Sequence, residues 1–134
     1  MNAKPTTIFN LALGKPATQS SVSQWSSAQT PEADASVATN GDTSSPQYFH
    51  TGEEMAPWWQ VDLGEDFVIE QLRIFNRQDA ADRLRRFTIL VSRTGAADWL
   101  PIYCKNDAAI FGNLPFVIML DAKNPRQVCP DTER

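Results

Sequence analysis

Hydrophobic and polar positions along most of this chain recur with a period of two, not 3.6. Trp59, Val61 and Leu63 alternate with Trp58, Gln60 and Asp62; Leu72 and Ile74 alternate with Arg73 and Phe75; Phe87, Ile89 and Val91 alternate with Thr88 and Ser92. Successive side chains of a strand point to opposite faces, so each run predicts a half-buried β-strand. Trp99–Cys104 and Phe116–Leu120 predict two more, and Ile8–Leu13 predicts an opening strand that ends at Gly14, Lys15 and Pro16. No long helical face occurs. Between the runs, Ser20–Asp34 holds five serines and one proline, and Asn40–Pro46 gathers nearly every turn-forming residue type. Short strands joined by polar turns predict an all-β protein, an antiparallel β-sandwich or jelly roll. With no internal repeat and no linker, one domain over residues 1–134 is expected.

Composition narrows this only slightly. The 134 residues include four Trp and seven Phe, enough for a core. The formal charge of −4 argues against nucleic acid and against an anionic membrane as partners, although Arg73, Arg77, Arg83, Arg85, Arg86 and Arg93 cluster locally. The first residues carry no apolar stretch of the export-signal kind, and no segment approaches the roughly 20 apolar residues of a membrane span. Cys104 and Cys129 could form one disulfide or stay reduced, and their spacing fits neither a metal nor a redox motif. With a single histidine, no phosphate loop, and Glu53 and Glu54 confined to a loop, no nucleophile has an evident base, so no enzymatic activity is expected.

Candidate chemistry concentrates between His50 and Phe87. His50, Arg77, Asp79 and Arg83 border predicted strands, and together they describe a donor-rich binding site on a rigid scaffold. Segments Asn10–Ser21, Asn40–Asp42, Pro57–Gly64, Asn76–Asp79 and Arg83–Phe87, in this order, resemble the discoidin superfamily, and most closely the F-type lectins, or fucolectins. The F-type signature is His, twenty-six residues, Arg, any residue, Asp, four residues, then Arg or Lys. Twenty-six residues separate His50 from Arg77, and Asp79 follows in place. The last step departs: three residues, not four, precede Arg83, and Leu84 occupies the expected position. The second arginine is therefore carried onto Arg83, with Arg85 as the alternative.

The resemblance implies an eight-stranded jelly roll and a fucose-binding lectin without catalytic activity. Guanidinium groups are donor-only, charged and geometrically fixed, so two of them suit adjacent sugar hydroxyls while an imidazole serves an axial one. By resemblance His50, Arg77 and Arg83 contact L-fucose, Asp79 orients an arginine, and the deoxy-sugar methyl needs an apolar patch from Tyr48, Phe49 or Trp25. Trp58 and Trp59 are expected to be scaffold. Asn40, Gly41 and Asp42 resemble a calcium loop of these lectins, so a structural Ca2+ held by Asn40 and Asp42 is expected. Family members finish with two further strands and an acidic calcium ligand. The ending Gln127–Arg134 lacks that pattern, so an incomplete sandwich without its last strands is expected, its open edges either paired with a second copy or covered irregularly by the tail around Gln127–Arg134. Fucose-containing glycans are the expected partners, and a secreted or cell-surface setting is implied. The alternative is a discoidin-type adhesion or targeting module for a protein or phospholipid surface.

Overall fold

The computed structural model describes residues 9–44 and 48–120, which gather in two compact units, Met1–Glu65 and Asp66–Arg134. Among the described residues six strands pair as three antiparallel two-stranded ladders, accompanied by one α-helix of five residues. The expected closing segment Gln127–Arg134, with Cys129, lies outside the described residues.

In the first unit β1 (Ala17–Gln19) pairs with β2 (Trp59–Val61), Thr18 standing opposite Gln60. Asp62 N–H donates to Pro16 O at 2.9 Å and Ser20 N–H to Trp58 O at 3.0 Å, which extends the ladder at both ends. The opening strand expected over Ile8–Leu13 needs correction. Ile8 lies outside the described residues, and residues 9–13 run into a tight turn. Asn10 Oδ1 accepts the Ala12 N–H at 3.1 Å, and Leu13 N–H returns to Asn10 O at 3.2 Å. An asparagine that satisfies its own backbone offers the chain an alternative to a ladder. Gly14, at φ 69°, then lets its N–H reach Thr39 O at 2.8 Å.

The serine-rich stretch conceals α1 (Pro31–Ala35). Thr30 caps it, Oγ1 accepting the Ala33 N–H at 3.2 Å, and Pro31 supplies the preset φ of a first helical position. A 3-10 turn, Ser36–Thr39, continues it. Ala17, Gln19, Asp34 and Ala35 are buried here. The Trp59 indole N–H donates to Ala35 O at 3.0 Å, and Phe49 stacks on the Trp59 ring at 5.8 Å. Trp59 therefore works as scaffold, linking β2 to α1 and to the loop before it.

In the second unit β3 (Gln71–Ile74) pairs with β6 (Phe116–Met119), and β4 (Phe87–Val91) pairs with β5 (Leu100–Lys105) across an irregularity at Ile89/Leu90. The predicted period is visible: Phe87, Ile89 and Val91 are half-buried while Thr88 and Leu90 are exposed. Phe116 gathers the core, with ring centroids 5.9 Å from Phe87, 5.9 Å from Tyr103 and 5.1 Å from Phe111. Each such pair contributes about 0.5–1.5 kcal/mol beyond area burial. Lys105 is buried at the rim, its Nζ donating to Asp107 Oδ1 at 2.6 Å and Ala109 O at 2.7 Å. That pairing holds the Asp107 carboxyl below its usual range. The β4–β5 loop closes around Asp98, which accepts the Ser92 and Thr94 hydroxyls and the Arg93 N–H, and its pKa is strongly lowered by those bonds. Cys104 is disulfide-bonded.

Candidate functional site

The sequence-predicted residues fall in both units: Tyr48, Phe49, His50, Asn40 and Asp42 in the first, Arg77, Asp79 and Arg83 in the second.

His50 lies in an irregular segment with no ladder to fix it, and its backbone is held by side chains instead. Its N–H donates to Asp34 Oδ2 at 2.8 Å, and its carbonyl accepts from Gln19 Nε2 and from Ser26 Oγ, both at 2.8 Å. Neighbouring residues are tied in the same manner. Ser27 Oγ donates to Tyr48 O at 3.1 Å, and Gly52 N–H donates to Ser21 Oγ at 2.8 Å. Ser21 Oγ in turn donates to Glu54, which also accepts from Ser20 Oγ. Asp34 is the hub: fully buried, it also accepts the Gln19 amide at 2.9 Å and the Ala28 N–H at 3.2 Å. Phe49, on its Trp59 stack, keeps 37% of its surface exposed, and Trp25 keeps 74%.

Arg77 follows β3 at a turn shaped by Asn76. Asn76 Oδ1 accepts the Arg77 N–H at 2.9 Å, while Nδ2 donates to Ala81 O at 2.9 Å and Phe111 O at 2.8 Å. The Arg77 guanidinium, mostly sheltered, donates through Nε to Asp79 Oδ1 at 3.4 Å and through its terminal nitrogen to Asp79 Oδ2 at 3.1 Å. This two-pronged pair fixes the plane of the guanidinium. It holds the Asp79 carboxyl below its usual range, and the Arg83 charge adds to the effect. Ala80 takes up a left-handed φ of 56°, turning the chain into a 3-10 turn, Ala81–Arg83, that places exposed Arg83 on the same loop. The backbone at Gly112 packs against this turn, where a Cβ would sit at ordinary contact distance, 3.5 Å, from both Arg77 O and the Ala81 Cβ.

The structure thus brings Arg77, Asp79 and Arg83 together on one turn and builds a separate frame around His50. Asp34, Gln19 and Asn76 are residues that sequence reasoning missed. The Thr30-Pro31-Glu32 start is a helix signal that would have placed Asp34 in a first turn. Nothing in the pattern announces its burial.

At the expected calcium loop, Asn40 Oδ1 accepts the Asp42 N–H at 2.8 Å, and Asp42 Oδ1 accepts the Ser44 N–H at 2.9 Å and the Ser44 hydroxyl at 2.8 Å. Gly41, at φ 83°, makes the turn. Calcium takes roughly six to eight oxygens, so these two side chains supply part of a shell. Among the described residues no group of three or more His, Cys, Asp and Glu converges as metal ligands.

A family model described as a NedA-like, galactose-binding domain of the F5/F8 type C kind matches residues 37–113. The chain belongs to this family. Two solved structures are similar to this galactose-binding-domain member. The lectin domain of lectinolysin complexed with Lewis B antigen is 26% identical, with a TM-score of 0.69, over 90% of this chain and 83% of that one. A histidine mutant of the lectin binding domain of lectinolysin complexed with Lewis b gives the same identity and TM-score over 91% of this chain. No curated protein sequence matches. These likenesses bear out the fold class expected from the sequence, an antiparallel β-sandwich of the discoidin and F-type lectin kind, and the matched domains are binding modules.

Proposed function

We propose that this domain is a lectin for L-fucose or fucosylated glycans, with His50, Arg77 and Arg83 as the side chains that contact the sugar. The observation that carries the reading is the complex of similar lectin domains with Lewis b, a fucosylated glycan. Two features of this chain support it. The His50-to-Arg77 spacing and the following Asp79 match the F-type signature, and the Arg77 guanidinium is oriented by its two-pronged pairing with Asp79. Phe49, displayed on Trp59, offers an apolar surface for the deoxy-sugar methyl, and Tyr48 lies beside it in sequence.

A monosaccharide in a shallow polar site makes few contacts against a large association cost, so binding is weak per site and strengthened by multiple copies. Calorimetry with L-fucose at millimolar concentration is expected to give a saturating heat. Arg77→Ala is expected to weaken binding by about tenfold or more, the scale of losing a charged donor, with an unchanged circular dichroism spectrum. A wild-type chain that gives neither heat nor chemical-shift change with fucose sinks the reading.

Calcium at Asn40 and Asp42 is a narrower proposal, resting on two hard oxygens and a glycine turn. Bound only by the folded loop, calcium at tenfold over its dissociation constant stabilises by about 1.4 kcal/mol, and the melting temperature is expected to rise accordingly. Identical melts in calcium and in chelator assign the loop to backbone-bonded turns alone. A second copy of this chain as partner is a further proposal, checked by light scattering.

A further inference from the structure

We propose that Asp34, with Gln19 and Ser26, is a positioning residue that sets where His50 projects; this rests on the reading of His50 as a sugar contact. Both polar backbone atoms of His50 are held, the N–H by Asp34 and the carbonyl by Gln19 and Ser26, each at 2.8 Å. With the peptide groups on both sides of Cα fixed, the Cα–Cβ direction of the histidine is fixed as well. The three holders converge from separate elements: Gln19 ends β1, Ser26 sits in the serine-rich loop and Asp34 lies on α1.

The choice of residues is costly for a mere loop tie. Asp34 is fully buried and Gln19 is 2% exposed. A carboxylate away from water is unfavourable unless several donors meet it, and here the His50 N–H, the Ala28 N–H and the Gln19 amide do so. Gln19 is oriented by its donor end. Nε2 serves Ser21 O, Asp34 and His50 O, whereas Oε1 has no hydrogen-bond partner among the described residues. An apolar pair of the same size would pack β1 against α1 without that burden, but it would leave the His50 N–H without an acceptor and its carbonyl held by Ser26 alone. The frame therefore serves geometry at the histidine, and loosening it acts on sugar binding by misplacing a donor.

The test uses the full chain. Ser26→Ala removes one anchor at a half-buried loop position and is expected to stay folded while losing fucose affinity about threefold; Asp34→Asn, which turns an acceptor toward donors as a donor, is expected to lose about tenfold or more. Ser26→Thr, which returns the hydroxyl, is expected to recover wild-type affinity. In a His50→Ala background, titrated at raised fucose concentration, neither substitution is expected to cost anything further, because the effect runs through the missing ring. Folded variants with wild-type affinity, or the same loss with and without the His50 ring, overturn the proposal and leave these residues a purely structural role. Should Asp34→Asn fail to fold, Ser26→Ala decides. Absence of fucose binding by the wild type defeats the lectin reading instead. Positioning is then read by nuclear magnetic resonance, where His50 ring signals are expected to shift and broaden in Ser26→Ala, and unchanged signals overturn it.

Discussion

Two loops carry the proposed sugar contacts, and they are held by different chemistry. Around His50 the organising group is a carboxylate, Asp34, buried and surrounded by donors: two backbone N–H groups and an amide. Around Arg77 it is a neutral amide, Asn76, half-buried, which accepts one N–H and donates to two carbonyls. The difference follows from what each loop leaves unsatisfied. In the first, the His50 and Ala28 N–H groups and the Gln19 amide converge on one point, which only an acceptor can meet, while the His50 carbonyl is met separately by Gln19 and Ser26. The second presents one donor and two acceptors, a demand that one asparagine side chain answers. A loop's hydrogen-bond deficit thus selects the residue type that organises it, and the burial of that residue sets how much its loss costs.

This contrast predicts unequal sensitivity. Asp34→Ala leaves the His50 and Ala28 N–H groups without this acceptor and takes one partner from the Gln19 amide, and is expected to destabilise the chain by about 3 kcal/mol or more. Asn76→Ala frees groups nearer to water and is expected to cost about 1–2 kcal/mol. Urea unfolding of the two variants beside wild type measures both. A larger cost for Asn76 than for Asp34 would break the argument that burial of the organising group sets the scale.

The strands were legible where the chain was long enough to show its period. Phe87–Val91 and Gln71–Ile74 carry alternation that survives as half-buried and exposed positions. β1, with only three residues, is too short for a period to register, and its buried Gln19 reads as a surface residue. The expected strand before it failed because Asn10 bonds its own loop. At the candidate site, spacing along the sequence is what singles out His50, Arg77 and Asp79. It leaves out their supports: Asp34 reaches His50 across 16 residues and Asn76 reaches Phe111 across 35, and no local propensity encodes a side chain bonding a remote backbone. Thr30 and Pro31 were legible signals of α1 that the surrounding serines obscured.

Asp79 completes the comparison at its weakest end, as a carboxylate in water. Its side chain is 80% exposed, and its pairing with Arg77 lowers its pKa below the ordinary value of 3.8. A depressed carboxylate adds stability that is present above its unfolded pKa and lost as pH falls through the folded one. Solvent screening keeps that contribution small, so Asp79→Asn is expected to move the urea midpoint at pH 7 far less than either Asp34→Ala or Asn76→Ala. What remains of the difference from wild type is expected to vanish as pH falls from about 4 downward, and to shrink in high salt at neutral pH. Fucose affinity separates the two parts this residue could play. If Asp79 only pairs charge at the surface, Asp79→Asn leaves calorimetric affinity unchanged; if it holds the Arg77 plane for the sugar, affinity falls several-fold while the unfolding midpoint barely moves, and the geometry of the pair favours the second outcome.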